Sequence, residues 1–167
     1  SVTRVDALTQ RAVDLLKAQQ SLYYVGLYLV DDAHRWAVLQ AGTGEFGRKL
    51  LAQGHRIAAG DGLVGRCMLQ GSLQVERDLD RVADPAASDA PSPSNGHSNT
   101  SLPRYARSEI AVPMRSRGRV FGVLVVQSYD VDAFDDVLAD ILQILADQLA
   151  VTIEGLRLSS EREEAAQ

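Results

Sequence analysis

The 167-residue chain has a single cysteine, Cys67. No internal disulfide can form, and a thiol exchange that needs a second cysteine to resolve it finds none in the chain. There is no excess of positive charge either: 17 Lys and Arg stand against 22 Asp and Glu, for a formal charge of -5. The cations are scattered, which excludes the basic stripe that nucleic-acid phosphates require. No apolar run is long enough to cross a bilayer, and the N-terminal SVTRVDALTQ lacks a signal peptide's apolar core. A cytoplasmic protein with no membrane contact is therefore expected. Zinc-ligand spacings, a nucleophile-elbow serine and a phosphate-loop lysine are also missing. With no catalytic or metal-binding set to point to, the chain is expected not to be an enzyme.

What is present is a composition that is 46% hydrophobic, enough for one domain over residues 1–167 with a sizeable core. Its centre is SEIAVPMRSRGRVFGVLVVQS, Ser108 to Ser128. Two apolar runs, Ile110 to Met114 and Val120 to Val126, flank a short polar segment in which Gly118 can take positive φ, the pattern of a β-hairpin. The second run has no polar residue on either alternating face, which predicts a central strand covered on both sides. Pro113 has no N–H, so the ladder of the first strand is expected to be interrupted there. Gly122 leaves room for a close approach by a neighbouring backbone or a ligand.

In chain order, Val5, Leu8, Ala12, Leu15 and Leu16 form one face of an N-terminal helix. LYYVGLYLV, Leu22 to Val30, predicts a second central strand, and Arg35 to Ala41 one nearer an edge. Phe46 to Gln53 predicts a short helix stopped by Gly54. Gly60 to Gly65 matches G-x-G-x-x-G, but the short polar segment before it and the two-turn helix after it, Leu63 to Gln70, do not suit a dinucleotide fold. A tight turn accounts for the glycines, and the N–H groups around Gly62 and Leu63 could receive an anionic ligand group. Ser72 to Arg77 reads as a short strand. Residues 79–104 hold four of the five prolines and a PSPSNGHSNTS core, the composition of a lid or of a disordered connection. Last, Asp132 or Asp135 can cap a helix running from about Asp136 past Leu158. Leu138, Leu142, Leu145, Leu149, Thr152 and Leu156 form a stripe expected to pack on the sheet. Val137, Ile141, Ile144, Val151 and Leu158 form a second stripe, interrupted by Gln148 and Gly155; the N-terminal helix is expected to cover part of it and a second copy of the helix pair the rest, as a four-helix bundle.

The segments SE-I-A-V-P-M and R-G-R-V-F-G-V-L-V-V-Q-S, followed by AFDD and the long aliphatic helix, resemble the C-terminal half of a GAF domain. GAF domains are small-molecule sensor modules of bacterial histidine kinases, chemoreceptors, phosphodiesterases and phytochromes. The resemblance implies an α+β fold: a central antiparallel sheet of five or six strands, both terminal helices on one face, and short helices with the Pro-rich loop over the ligand side. It also implies a regulatory role, in which an unidentified small molecule biases the C-terminal helix of a homodimer towards a kinase or other effector domain in a longer chain. The ending EREEAAQ, with 159–167 as the start of a linker helix, fits such a fragment. A ligand-free dimerisation and relay scaffold is the alternative.

Members of the family with known chemistry narrow the ligand. Free methionine sulfoxide reductases have a similar SEI-V-P strand but use several cysteines and carboxylates late in the final strand, where this chain has Val125 and Gln127. Bilin domains attach their chromophore through a cysteine in a later loop than Cys67. Haem sensors place an axial His where this chain has Pro103, and His97 and His55 are off position. Of the dispersed cyclic-nucleotide set, only Phe134 and Asp135 match. No cofactor is required by the sequence. The candidate ligand residues are Glu109, an acid set in an apolar strand, and Arg107, two residues before it and its nearest partner. The pair is either a structural ion pair or a grip on a polar ligand group. Tyr105, Trp36, Tyr28, Cys67 and Gln127 are candidate walls.

Overall fold

The hairpin at 108–128 forms the middle of the sheet. The computed structural model describes residues 2–20, 22, 24–79 and 106–166. Its elements are α1 (Val2–Gln20), β1 (Tyr24–Val30), β2 (Trp36–Gly42), α2 (Gly44–Ala52), β3 (Arg56–Ala58), α3 (Gly62–Gln70), β4 (Gln74–Glu76), β5 (Ser108–Ser116), β6 (Arg119–Ser128) and α4 (Asp136–Ala165). The strands form one six-stranded sheet in the order β3-β2-β1-β6-β5-β4, antiparallel throughout. The all-apolar strands β1 and β6 take the middle, where both faces are covered. This is the α+β architecture expected from the resemblance.

Alternation divides the sheet into two cores. On one face Val25, Leu27, Ile110, Val112, Met114, Leu124 and Val126 pack against α1 and α4. On the other, Tyr24, Tyr28, Ala111, Val123 and Val125 pack with Leu50 of α2 and with Leu63, Val64, Cys67 and Met68 of α3. The β5–β6 turn places Arg117 and Gly118 at φ 55° and 78°, the two positive values that a two-residue hairpin loop with the twist of its strands requires.

The expectation at Pro113 is corrected, while those at Gly122 and at the glycine turn hold. The ladder runs unbroken through Pro113, paired with Val123, and the irregularity comes one step later, between Met114 and Arg115. Proline is tolerated because β4 pairs only as far as Ala111, so among the described residues β5 has no strand on that side at Pro113. The Pro113 carbonyl receives the side-chain amide of Gln143 at 3.1 Å. The gap at Gly122 is filled by the Met114 methyl and the Tyr28 carbonyl. Gly60 to Gly65 is a turn into α3, with Gly60 at φ 87° and the Gly60 N–H bonded to the Gly65 carbonyl at 2.9 Å. A Cβ on Gly65 would strike the Ala58 carbonyl. The strand before this turn, β3, is antiparallel to its neighbour, so the dinucleotide topology is absent.

The expected faces pack on the sheet in part, through Val5 and Leu8 of α1 and Leu138, Leu142, Leu149 and Leu156 of α4, but each helix is turned so that other residues share the buried line. The buried line of α4 is Ala139, Leu142, Ala146, Ala150 and Ile153, while Leu145 is exposed. Small side chains let the helix lie close to the sheet, and the leucines flank that seam. In α1 the buried line is Val5, Thr9 and Val13, with Leu15 exposed. The Gln10 amide fixes this rotation: its Nε2 donates to the Gly42 carbonyl at 2.9 Å, and its Oε1 accepts from the Gly42 N–H at 3.3 Å. The N-cap of α4 is Asp135, whose Oδ1 accepts from the Leu138 N–H at 2.8 Å. Of the Pro-rich segment, residues 80–104 lie outside the described residues. Among those described, no helix is long and apolar enough to cross a membrane.

Candidate ligand site

On the face covered by α3, register assembles a polar row that spacing along the chain does not reveal. Tyr24 of β1 lies opposite Gln127 of β6, Gln127 lies opposite Glu109 of β5, and Glu109 lies opposite Glu76 of β4. Residues directly opposite one another in antiparallel strands share a face. Glu109 is 6% exposed and Gln127 3%. Gln127 Nε2 donates to Glu109 Oε2 at 2.7 Å. Burial pushes the Glu109 carboxyl up to about 7; the bond from Gln127 opposes the rise, Glu76 adds to it and Arg66 opposes it.

The rest of the row offers one oxygen that only accepts, Gln127 Oε1, and one hydroxyl, on Tyr24, that can donate or accept. Gln127 Oε1 and the Tyr24 hydroxyl are both buried without a hydrogen-bond partner, an arrangement that costs the desolvation of each group. Tyr28 lies two residues further along the same face as Gly26, and its hydroxyl meets His55 Nε2 at 3.1 Å. Burial raises both tyrosine hydroxyls above the ordinary phenol range. The glycine between them on this face is close to the Tyr24 ring, which fills the space a Cβ would need.

The expected site residues separate into two groups. Glu109, Gln127, Tyr28, Cys67 and Leu63 are all on the α3 side, Cys67 and Leu63 as buried residues of that helix. The Cys67 thiol is pushed up to about 12 by burial, with Arg115 opposing, so the thiolate that nucleophilic chemistry needs is disfavoured. Gly62 begins α3 at φ 59°. Arg107 does not pair with Glu109: its Nη2 lies 3.7 Å from Asp78 Oδ1, because its backbone N–H is turned to the Ser128 carbonyl just before β5 starts. Trp36 is at the far end of the sheet, opposite Ala58, with the Arg56 guanidinium 3.7 Å from its ring centroid. Tyr105 lies outside the described residues.

Tyr24 and His55 were not expected at this site. The alternation Tyr24-Gly26-Tyr28 was the available signal, since it puts two hydroxyls on one face of a strand otherwise apolar. Among the described residues, no group of three His, Cys, Asp or Glu is placed to hold a metal ion.

Residues 3–154 match the family model described as a GAF domain. No curated protein sequence matches. Similar solved structures include the free methionine-R-sulfoxide reductase from Neisseria meningitidis in complex with its substrate, at 29% identity and a TM-score of 0.72 over 93% of this chain and 81% of that one. The type II free methionine-R-sulfoxide reductase from Thermoplasma acidophilum is 23% identical, with a TM-score of 0.68 over 92% and 94%. The GAF domain of a phosphoenolpyruvate-protein phosphotransferase from Acinetobacter is 20% identical, with a TM-score of 0.71 over 92% and 84%. The two reductases overturn the expectation that the chain is not an enzyme: catalysts are built on this scaffold, and the missing motifs do not exclude catalysis on it.

Proposed function

Because the chain belongs to the GAF domain family, a family of ligand-binding regulatory domains, we propose that it senses a small molecule held under α3 by the row Tyr24, Gln127 and Glu109. The observation that carries this reading is the pair of buried, unpartnered oxygens beside a buried carboxylate. Such a row suits a ligand rich in N–H or O–H donors, a cationic amine included. Tyr28, Cys67 and Leu63 supply the walls, and Arg107 borders the row. Ligand binding acts as a switch when it favours one placement of α4 over another, and α4 passes the bias to an effector domain in a longer cytoplasmic chain. The exposed Val137, Ile141, Ile144 and Val151 of α4 support a homodimer through the terminal helices.

Native mass spectrometry of protein purified from its own host tests the proposal. A bound small molecule whose affinity falls at least tenfold in both Glu109→Ala and Gln127→Ala supports it; an empty site in the folded protein opposes it. The likeness to the Neisseria reductase supports a second reading, in which the row positions an oxidised thioether amino acid for reduction. Free methionine-R-sulfoxide with a dithiol reductant separates the two: methionine is released on turnover, whereas a sensor only binds.

A further inference from the structure

A cleft of about 370 Å³ opens at the end of the sheet opposite the Glu109 row. One wall is made by the tips of two hairpins, the β1–β2 turn and the β5–β6 turn, and the other by one face of α4 near its C-terminal end. Its floor is apolar: Val30, Val120, Phe121 and Leu158. Leu158 is thus half-buried in this cleft rather than exposed beside Ile144 and Val151.

The β5–β6 tip and the helix face differ in sign, while the β1–β2 tip is itself acidic. Arg117 and Arg119 stand on the β5–β6 tip, and Glu154 and Glu161, with Arg157 between them, on the helix. The β1–β2 tip adds His34, Asp32 and Asp31. The Asp31 carboxylate is already committed, since its Oδ1 accepts from the N–H groups of Arg35 at 2.8 Å and Trp36 at 3.1 Å. Those bonds hold its turn rigid and depress the Asp31 pKa. Among the described residues no ion pair joins the two walls.

Two of the three described non-glycine residues at positive φ, His34 and Arg117 but not Asp132, stand on these tips. His34 and Arg117 both sit at φ 55°, a left-handed conformation that glycine or asparagine adopts more readily. The first position of a two-residue hairpin loop favours Asn or Gly, yet here it holds an arginine. Non-glycine residues kept in such conformations concentrate at ligand sites, and these two line the same cleft.

We propose that this cleft binds a zwitterionic small molecule with an apolar body, of the class of a free amino acid. Its carboxylate meets the Arg117 and Arg119 guanidiniums, its ammonium meets Glu154 and Glu161, and its side chain lies on Phe121, Val120 and Leu158. A ligand placed so ties the sheet to α4 across a gap that no ion pair spans. The site shares no residue with the Glu109 row, so each stands or falls alone.

Calorimetric titration of the whole chain with L-phenylalanine and L-leucine tests this, with N-acetyl-L-phenylalanine and L-phenylalaninamide as probes that each lack one charge. Saturable binding of at least one free amino acid is expected. Affinity should fall at least tenfold when either end is capped, and likewise in Arg117→Asn/Arg119→Thr, where Asn keeps the turn, and in Glu154→Gln/Glu161→Gln. Glu109→Gln should leave it unchanged. The proposal is overturned if neither amino acid binds, if a capped probe binds as well as the free one, if the tip or helix variants retain full affinity, or if Glu109→Gln abolishes binding.

Discussion

Glu109 carries a cost that depends on pH. Its carboxyl has a pKa of about 7 in the folded protein against an ordinary 4.5, so folding takes up a proton between those values. Stability therefore falls as pH rises from about 4.5 to about 7 and levels off above that, by an amount on the order of 3 kcal/mol for a group so buried. In Glu109→Gln this contribution should vanish, and urea unfolding at about pH 5 and about pH 8 should give more similar stabilities for the variant than for the parent. An equal decline in both would assign the pH dependence to other groups. The acid itself was legible in the sequence, as a charge set in an apolar strand. Its partner was not, because Gln127 is 18 residues away and meets Glu109 only through the register of β5 on β6. Arg107, two residues distant, was the nearest charge along the chain, but the backbone commits it to Asp78 before the strand begins.

Among the elements, the strands were readable and the rotation of the helices was not. VFGVLVV and LYYVGLYLV are apolar on both faces, and only central positions satisfy that. In α4 apolar residues surround most of the helix, so periodicity offers several faces and the leucines outweigh the alanines on any hydrophobicity scale. Packing chose Ala139, Ala146 and Ala150, since close approach to a flat sheet favours small side chains at the contact. The start of α4 is fixed more locally. Asp135 Oδ1 is 2.8 Å from the Leu138 nitrogen, and Asp135→Ala should cost about 1 kcal/mol. Asp135→Asn, which keeps the acceptor, should recover most of it in thermal or urea unfolding. If Ala and Asn behave alike, the cap contributes nothing.

For the molecule as a whole, the exposed stripe of α4 dominates the question of assembly. Val137 is 69% exposed, Ile144 57% and Val151 75%, and covering each contributes roughly 1.5 to 3 kcal/mol. If the parent sediments as the proposed dimer, Ile141→Asp/Ile144→Asp should sediment as a monomer at the same concentration, without altering its circular dichroism. A parent that sediments as a monomer at micromolar concentration would count against the helix-mediated dimer.

The way β5 ends has its own bearing on how copies can meet. Past Ala111 that strand has no neighbour on its outer side among the described residues, a position from which sheets extend into fibres. Pro113 cannot donate there, its oxygen is occupied by Gln143, and Arg115 puts a charge on the margin. Strand-to-strand pairing is thereby disfavoured along this border of the sheet.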